Sequence, residues 1–168
     1  MKSNYLSIFL FACLCMLNVQ AQPADAPKRK SGLWEIKMSH EGKPGMQIKQ
    51  CIDEKTDNMM QSMGKEVAQQ CSKQEFKKVS GGYDIESVCK LGSSTATTKG
   101  TVRGNMESGY AMDLQISHNP PTYGMSEAKM RIENKFLGAC PSGWTAGDME
   151  MPGGMRINAN QLGGMRKP

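Results

Sequence analysis

Aromatic and histidine side chains are scarce in this sequence: 6% of the chain is aromatic, and His40 and His118 are its only two histidines. That scarcity narrows the possible chemistry. A hydrolytic nucleophile needs a base beside its Ser or Cys. His40 sits just ahead of a turn and His118 ends a strand beside two prolines, so both read as ordinary surface or strand-end residues. There is no G-x-S-x-G elbow, H-E-x-x-H helix or glycine-rich phosphate loop. C-x-x-C is also missing, which removes disulfide shuttling and the usual close spacing of zinc ligands. Carboxylates that neighbour one another, such as Asp84 and Glu86, fall on the solvent side of a strand. The expectation is a protein that is not an enzyme, with no catalytic residue and no cofactor.

Long apolar runs are also lacking, with one exception at the N-terminus. Lys2 supplies a positive start, residues 5–19 are apolar apart from Ser7 and Asn18, and Val19 and Ala21 form a small-residue cleavage site. Residues 1–21 therefore read as a signal peptide, with Gln22 the first mature residue. The run is shorter than the ~20 residues that cross a bilayer as a helix, so no membrane span is expected. Leu10-Phe11-Ala12-Cys13 loosely resembles a lipoprotein box, but Phe11 fits it poorly and the apolar region before Cys13 is very short. Soluble export, periplasmic or secreted, is preferred to a lipid anchor at Cys13. Residues 22–31, with the triplet Lys28-Arg29-Lys30, read as a disordered basic leader in solvent. The net charge of +5 is modest and its signs alternate along the chain, so no basic face for nucleic acid is expected.

Four cysteines remain after the leader: Cys51, Cys71, Cys89 and Cys140. An even number in a small exported chain implies two disulfides. Three pairings are open. Cys51 with Cys71 would pin both ends of the segment between them and leave Cys89 with Cys140; Cys71 with Cys89 across a hairpin is close behind. Sequence alone does not choose, and the first pairing is weakly preferred.

Strand-like alternation dominates the rest. Trp34, Ile36 and Met38 share a face, the turn Gly42-Lys43-Pro44-Gly45 follows, and Met46, Ile48 and Ile52 line the next strand. The period then changes: Met59, Met60, Met63 and Val67 fall on one side of a helix expected over residues 54–70. Strands return around Phe76, Tyr83 and Ile85, then through a threonine-rich stretch. The clearest strand holds Tyr110, Met112, Leu114, Ile116 and His118 on one face and ends at Asn119-Pro120-Pro121. Ala128, Met130, Ile132, Asn134 and Phe136 alternate in the last one. The fold class is mostly β (α+β minor): a curved antiparallel β-sheet or partly closed barrel of about seven strands with one helix packed on it. Residues 32–140 form the single disulfide-stapled domain, and residues 141–168 an irregular tail rich in glycine and methionine.

The opening Gly32-Leu33-Trp34-Glu35-Ile36, then Gln50-Cys51-Ile52, Cys71, the Gly-Tyr strand ending at Cys89, Cys140-Pro141-Ser142-Gly143 and Gly147-Asp148-Met149 resemble the exported bacterial proteins grouped as domain of unknown function 3617. Trp144-Thr145-Ala146 departs from the Met-Lys-Pro more usual before Gly-Asp. The resemblance implies an exported, disulfide-bonded single domain, and it brings no assigned activity or site residue.

Methionine is the one excess: 13 of the 15 lie beyond residue 21. Thioethers are soft ligands for Cu(I), and Met149, Met151 and Met155 offer such a set, which Met165 could join. Most of the others occupy apolar positions of the strands and helix, where methionine adapts to irregular shapes. Binding is therefore the expected function, with an envelope protein or a small apolar ligand as partner on a methionine-lined sheet face, and Met-mediated copper handling is the alternative.

Overall fold

Alternation of apolar and polar side chains becomes, in the computed structural model, one open antiparallel sheet of nine strands. The structure describes residues 27–54, 57 and 70–159. In chain order the strands are β1 (Gly32–His40), β2 (Lys43–Ile52), β3 (Cys71–Val79), β4 (Gly82–Leu91), β5 (Ser94–Asn105), β6 (Gly109–Thr122), β7 (Met125–Gly138), β8 (Asp148–Glu150) and β9 (Arg156–Asn158). Their order in the sheet is β3-β4-β5-β6-β7-β1-β2-β8-β9. A five-strand meander is thus extended on one side by the N-terminal hairpin, which docks its first strand against β7. The helix expected over residues 54–70 lies largely outside the described residues. The seven expected strands are all present, and β8 and β9 add two more from the segment expected to be an irregular tail.

Register places nearly every apolar side chain on one face. Ile36 lies opposite Ile48 on β2 and Asn134 on β7, Asn134 opposite Tyr110 on β6, and Met112 between Ile132 and Val102. The core of that face is Trp34, Ile52, Val102 and Tyr110, with Trp34 and Val102 fully buried. Trp34 meets the Phe136 ring edge-on at 5.5 Å and the Tyr110 ring tilted at 5.9 Å, separations at which aromatic pairs add to plain area burial. The other face is a lattice of ions. Arg131 bonds Asp113 at 2.7 Å, Arg103 bonds Asp84 at 2.9 Å, Lys73 bonds Glu86 at 2.6 Å and Lys49 bonds Glu150 at 3.1 Å. These pairs are exposed, so each contributes little, and their chief effect is to keep that face wet. Asp84 and Glu86, the neighbouring carboxylates of the sequence, thus belong to two separate surface ion pairs.

Local chemistry explains where the strands turn. The β1–β2 turn is Glu41-Gly42, with φ of 50° and 75°, one residue pair earlier than the Gly42-to-Gly45 turn expected. Two positive φ values in a two-residue loop match the twist of the flanking strands. Pro44 and Gly45 instead sit inside β2, where the register shifts between Lys37 and Ser39. A bulge tolerates proline, which has no N–H for the ladder. A Cβ on Gly45 would come within 2.9 Å of the Met38 carbonyl oxygen, so the close approach there needs glycine. Pro120 and Pro121 do not end β6 as expected. The strand runs on to Thr122 by shifting its register against β7 after Ser117, while the Ser94 hydroxyl donates to the Pro120 carbonyl at 2.7 Å.

The cysteines pair as Cys51–Cys140 and Cys71–Cys89. This corrects the preferred assignment of Cys51 to Cys71. Cys71 and Cys89 are direct cross-strand partners on β3 and β4, with Cα atoms 3.8 Å apart, whereas Cys51 is next to the last residue of β2, the seventh strand of the sheet, and its partner Cys140 follows the end of β7 by two residues. In the chain-entropy model the local bridge stabilises by about 3 kcal/mol, and the long-range one, spanning 89 residues, by about 4.5 kcal/mol. The second bridge also fixes the start of the C-terminal segment. There, Gly147 N–H donates to the Cys51 carbonyl at 2.9 Å, and Asp148 accepts from the Thr145 N–H and the Asn158 amide, both at 2.7 Å. The Thr145 backbone bond, first among its causes, holds the Asp148 carboxyl below its usual range. The Gly-Asp pair noted in the sequence is therefore what seats the β8–β9 hairpin on β2.

Candidate functional site

The apolar face is not evenly covered. Next to Trp34 the side chains are buried: Ile36, Ile48 and Ile52 are at most 7% exposed and Tyr110 is 5% exposed. Two to four residues further along the same strands, burial falls to half. Met38 on β1, Met112, Leu114 and Ile116 on β6, and Met130 and Ile132 on β7 are all half-buried and occupy consecutive rungs of three adjacent strands. β-strands rise ~3.3 Å per residue, so the stripe from Asn134 to Ala128 is roughly 20 Å long. Methionine supplies three of its six side chains, and their flexible thioethers can mould to a ligand.

An ion pair closes the upper, buried end. Arg29 and Asp57 are 7% and 8% exposed. Asp57 accepts from the Arg29 main-chain N–H at 2.7 Å, from Nε at 3.1 Å and from an Nη at 2.6 Å. Desolvation is the largest influence on Arg29 and opposes its charge, but Asp57 together with Tyr110 outweighs it, and the guanidinium is held more firmly protonated than usual. Burial pushes the Tyr110 phenol up to about 12, against a smaller opposing pull from Arg29. The arm that carries Arg29 is fixed by its neighbours. Lys30 N–H donates to the Met106 carbonyl at 3.1 Å, the Lys30 carbonyl accepts from the Trp34 indole at 2.8 Å, and the Lys30 ammonium lies 5.0 Å from the Phe136 ring centre. The end of the segment expected to be a solvated leader, residues 27–31, is thus part of the fold. Arg29 is drawn in because a carboxylate waits for it, and basic composition by itself could not reveal that. Nor could any spacing reveal the partner, since Asp57 lies 28 residues away.

Asn134 marks the boundary between the buried core and the half-buried stripe. It is 6% exposed, and its Nδ2 has no hydrogen-bond partner among the described residues. A buried donor left unmade costs about 1–3 kcal/mol, so such groups call for an explanation.

The other candidate residues are dispersed. His40 is exposed at the end of β1. His118 lies on the apolar-face side of β6, 3.5 Å from the Thr122 hydroxyl, with no carboxylate bonded to it among the described residues. Among those residues no group of three His, Cys, Asp or Glu side chains gathers as a metal site. The β8–β9 hairpin carries Met149, Met151 and Met155. Met149 pairs with Ile157, Met151 N–H donates to the Met155 carbonyl at 2.8 Å, and Met155 is 61% exposed. A cleft of about 250 Å³ lies at the β1–β2 bulge, between Lys37, Met38, Pro44, Met46 and Glu133. No helix among the described residues is long and apolar enough to cross a membrane.

A family model described as protein of unknown function (DUF3617) matches residues 29–140, and the chain belongs to that family. The match begins at the buried Arg29 and ends at Cys140 of the long-range disulfide. Neither a curated protein nor a solved structure matches the chain.

Proposed function

We propose that this DUF3617 protein is an exported, non-catalytic binding module that holds a small apolar ligand on the methionine-lined part of its sheet. The observation that carries the reading is the stripe of six half-buried apolar side chains beside a fully buried core on the same face. Full burial of such a side chain contributes ~1.5–3 kcal/mol and at most about a third of each is exposed, so covering all six adds at most roughly 3–6 kcal/mol before the costs of association. That falls short of the ~8 kcal/mol of a micromolar complex, so the ligand's own buried apolar surface has to supply the remainder. Export is supported by the N-terminal pattern of residues 1–21 and by two disulfides, which persist in oxidising compartments. Native mass spectrometry of unreduced protein from its own periplasm tests both parts: a mass four protons below the reduced mature chain, with a small apolar adduct, is the expected result. Binding is tested with the fluorophore N-phenyl-1-naphthylamine, which brightens in apolar sites. Wild type should bind it saturably, and Met112→Glu with Met130→Glu should not. Equal binding by that variant would remove the stripe from the proposal.

Copper handling is retained as a second reading for one observation, the β8–β9 pairing that sets Met151 against Met155 and keeps Met149 on the same hairpin. A Cu(I) competition titration tests it, because changing the three to leucine should abolish uptake without unfolding the protein. Unchanged uptake would end this reading.

A further inference from the structure

We infer that the ligand is a single-chain amphiphile whose polar end is a hydrogen-bond acceptor, a carbonyl or carboxylate received by the Asn134 amide. This rests on the binding reading above and deepens it. Asn134 lies between Ile36 and Tyr110 across its two neighbouring strands, on the apolar face, with its Nδ2 buried and unpaired among the described residues. An apolar side chain would suit that position if packing were its only task. The other buried polar groups nearby are satisfied: the Trp34 indole has the Lys30 carbonyl, and Arg29 has Asp57. The missing partner is therefore specifically an acceptor. Because Asp57 already neutralises the Arg29 charge, the site offers a neutral donor and no net cation, so an ester carbonyl meets it at a lower desolvation cost than an ionised carboxylate.

Position then sets the shape of the ligand. Asn134 stands at the inner end of the half-buried stripe, and Ile132 and Met112 occupy the next rung outward. An acceptor at Nδ2 sends its attached chain along that rung and past Met130 and Leu114, over a track long enough for an extended alkyl chain. An alkylammonium carries no acceptor, so it would leave the Nδ2 donor unmade and strip water from its own charge.

Three probes of equal chain length separate the possibilities: laurate, methyl laurate and dodecylamine, each below its micellar concentration and read by displacement of N-phenyl-1-naphthylamine. Wild type should bind laurate and methyl laurate at least tenfold more tightly than dodecylamine, the factor a single good hydrogen bond provides. Asn134→Leu should bind all three alike, at the dodecylamine level, while keeping its affinity for the fluorophore. Asn134→Asp should reverse the preference toward dodecylamine, which keeps the test decisive if either variant folds poorly. Laurate alone gaining over dodecylamine would assign the site to carboxylates, and both gaining would assign it to the carbonyl that they share. Fluorophore binding with no preference among the three probes overturns this inference and leaves the stripe standing, whereas failure of wild type to bind any probe or the fluorophore overturns both.

Discussion

Removing the Asp57 carboxylate should be among the most damaging single changes available to this protein. Asp57→Ala leaves the Arg29 guanidinium buried without a counter-charge, and it also strands the Arg29 main-chain N–H that donates to the same carboxylate at 2.7 Å. Breaking one side of a buried ion pair costs about 3–5 kcal/mol, a large part of the 5–15 kcal/mol that holds a typical domain together. Arg29→Met should cost less, because a buried carboxylic acid stranded by the loss of its partner can take up a proton. Arg29→Met with Asp57→Leu should return to within about 1–2 kcal/mol of wild type, since an apolar pair of similar volume carries no desolvation penalty. With Asp57→Leu, which strands Arg29 as Asp57→Ala does, as the second single variant, the cycle closes and has a coupling energy of at least 2 kcal/mol, larger than any cycle through the exposed pairs on the opposite face. Urea unfolding followed by the fluorescence of Trp34, whose indole is tied to this arm through Lys30, measures all four variants. An Asp57→Ala variant within 1 kcal/mol of wild type would refute the account, because it would mean that the pair is neither desolvated nor structural.

Three further outcomes follow from single observations. Tyr123 is 97% exposed and takes a φ of 50° beside Gly124 at 78° in the β6–β7 turn; Asn tolerates that conformation better, so Tyr123→Asn should raise stability by about 0.5–1 kcal/mol in urea unfolding. Replacing Cys51 and Cys140 with serine should cost roughly 1.5 kcal/mol more than replacing Cys71 and Cys89, because the first bridge closes the much longer loop. The Asp148 carboxyl is held below its usual range by its hydrogen bonds, so its support of the β8–β9 hairpin is fully present above the ordinary carboxylate value and is lost as pH falls through the lowered one. Amide exchange at Thr145 and Asn158 should accelerate over that acidic window in wild type, and Asp148→Asn should flatten the dependence.

Much of the fold was legible because a half-wetted antiparallel sheet writes itself into period-two alternation. Every face assignment made for the strands holding Trp34, Tyr110 and Phe136 agrees with the register. The features that escaped are those whose signal is not periodic. β8 and β9 are three residues each, too short to show alternation, and they form because Cys140 and Asp148 deliver them to the edge of β2. The disulfide pairing escaped for a related reason: spacing constrains loop length, whereas pairing depends on the sheet order, in which β1 and β2 lie beyond β7. Arg29 was hidden among three basic residues whose composition is that of a tail. Lys28 and Lys30 are indeed exposed, and only the middle residue turns inward.

Asn134 differs from these because its anomaly was visible from the start. It falls in register with Ala128, Met130, Ile132 and Phe136, where alternation demands an apolar residue, and the structure buries it there. A polar side chain in an apolar register is usually accommodated by a neighbouring backbone group or by a second polar side chain. Inside a sheet that route is closed, because the backbone groups of β1, β6 and β7 are engaged in their ladders and the residues opposite Asn134 are the apolar Ile36 and Tyr110, whose hydroxyl interacts with Arg29. The sheet thus supplies the reason that the donor stays unpaired, and the half-buried stripe next to it supplies the route by which an acceptor can arrive. Neither observation alone points to a ligand, since a lone orphan donor is a packing defect and a lone apolar stripe is an unfinished core. Their adjacency on β7, two residues apart at Asn134 and Ile132, is what makes one amphipathic molecule the economical solution to both.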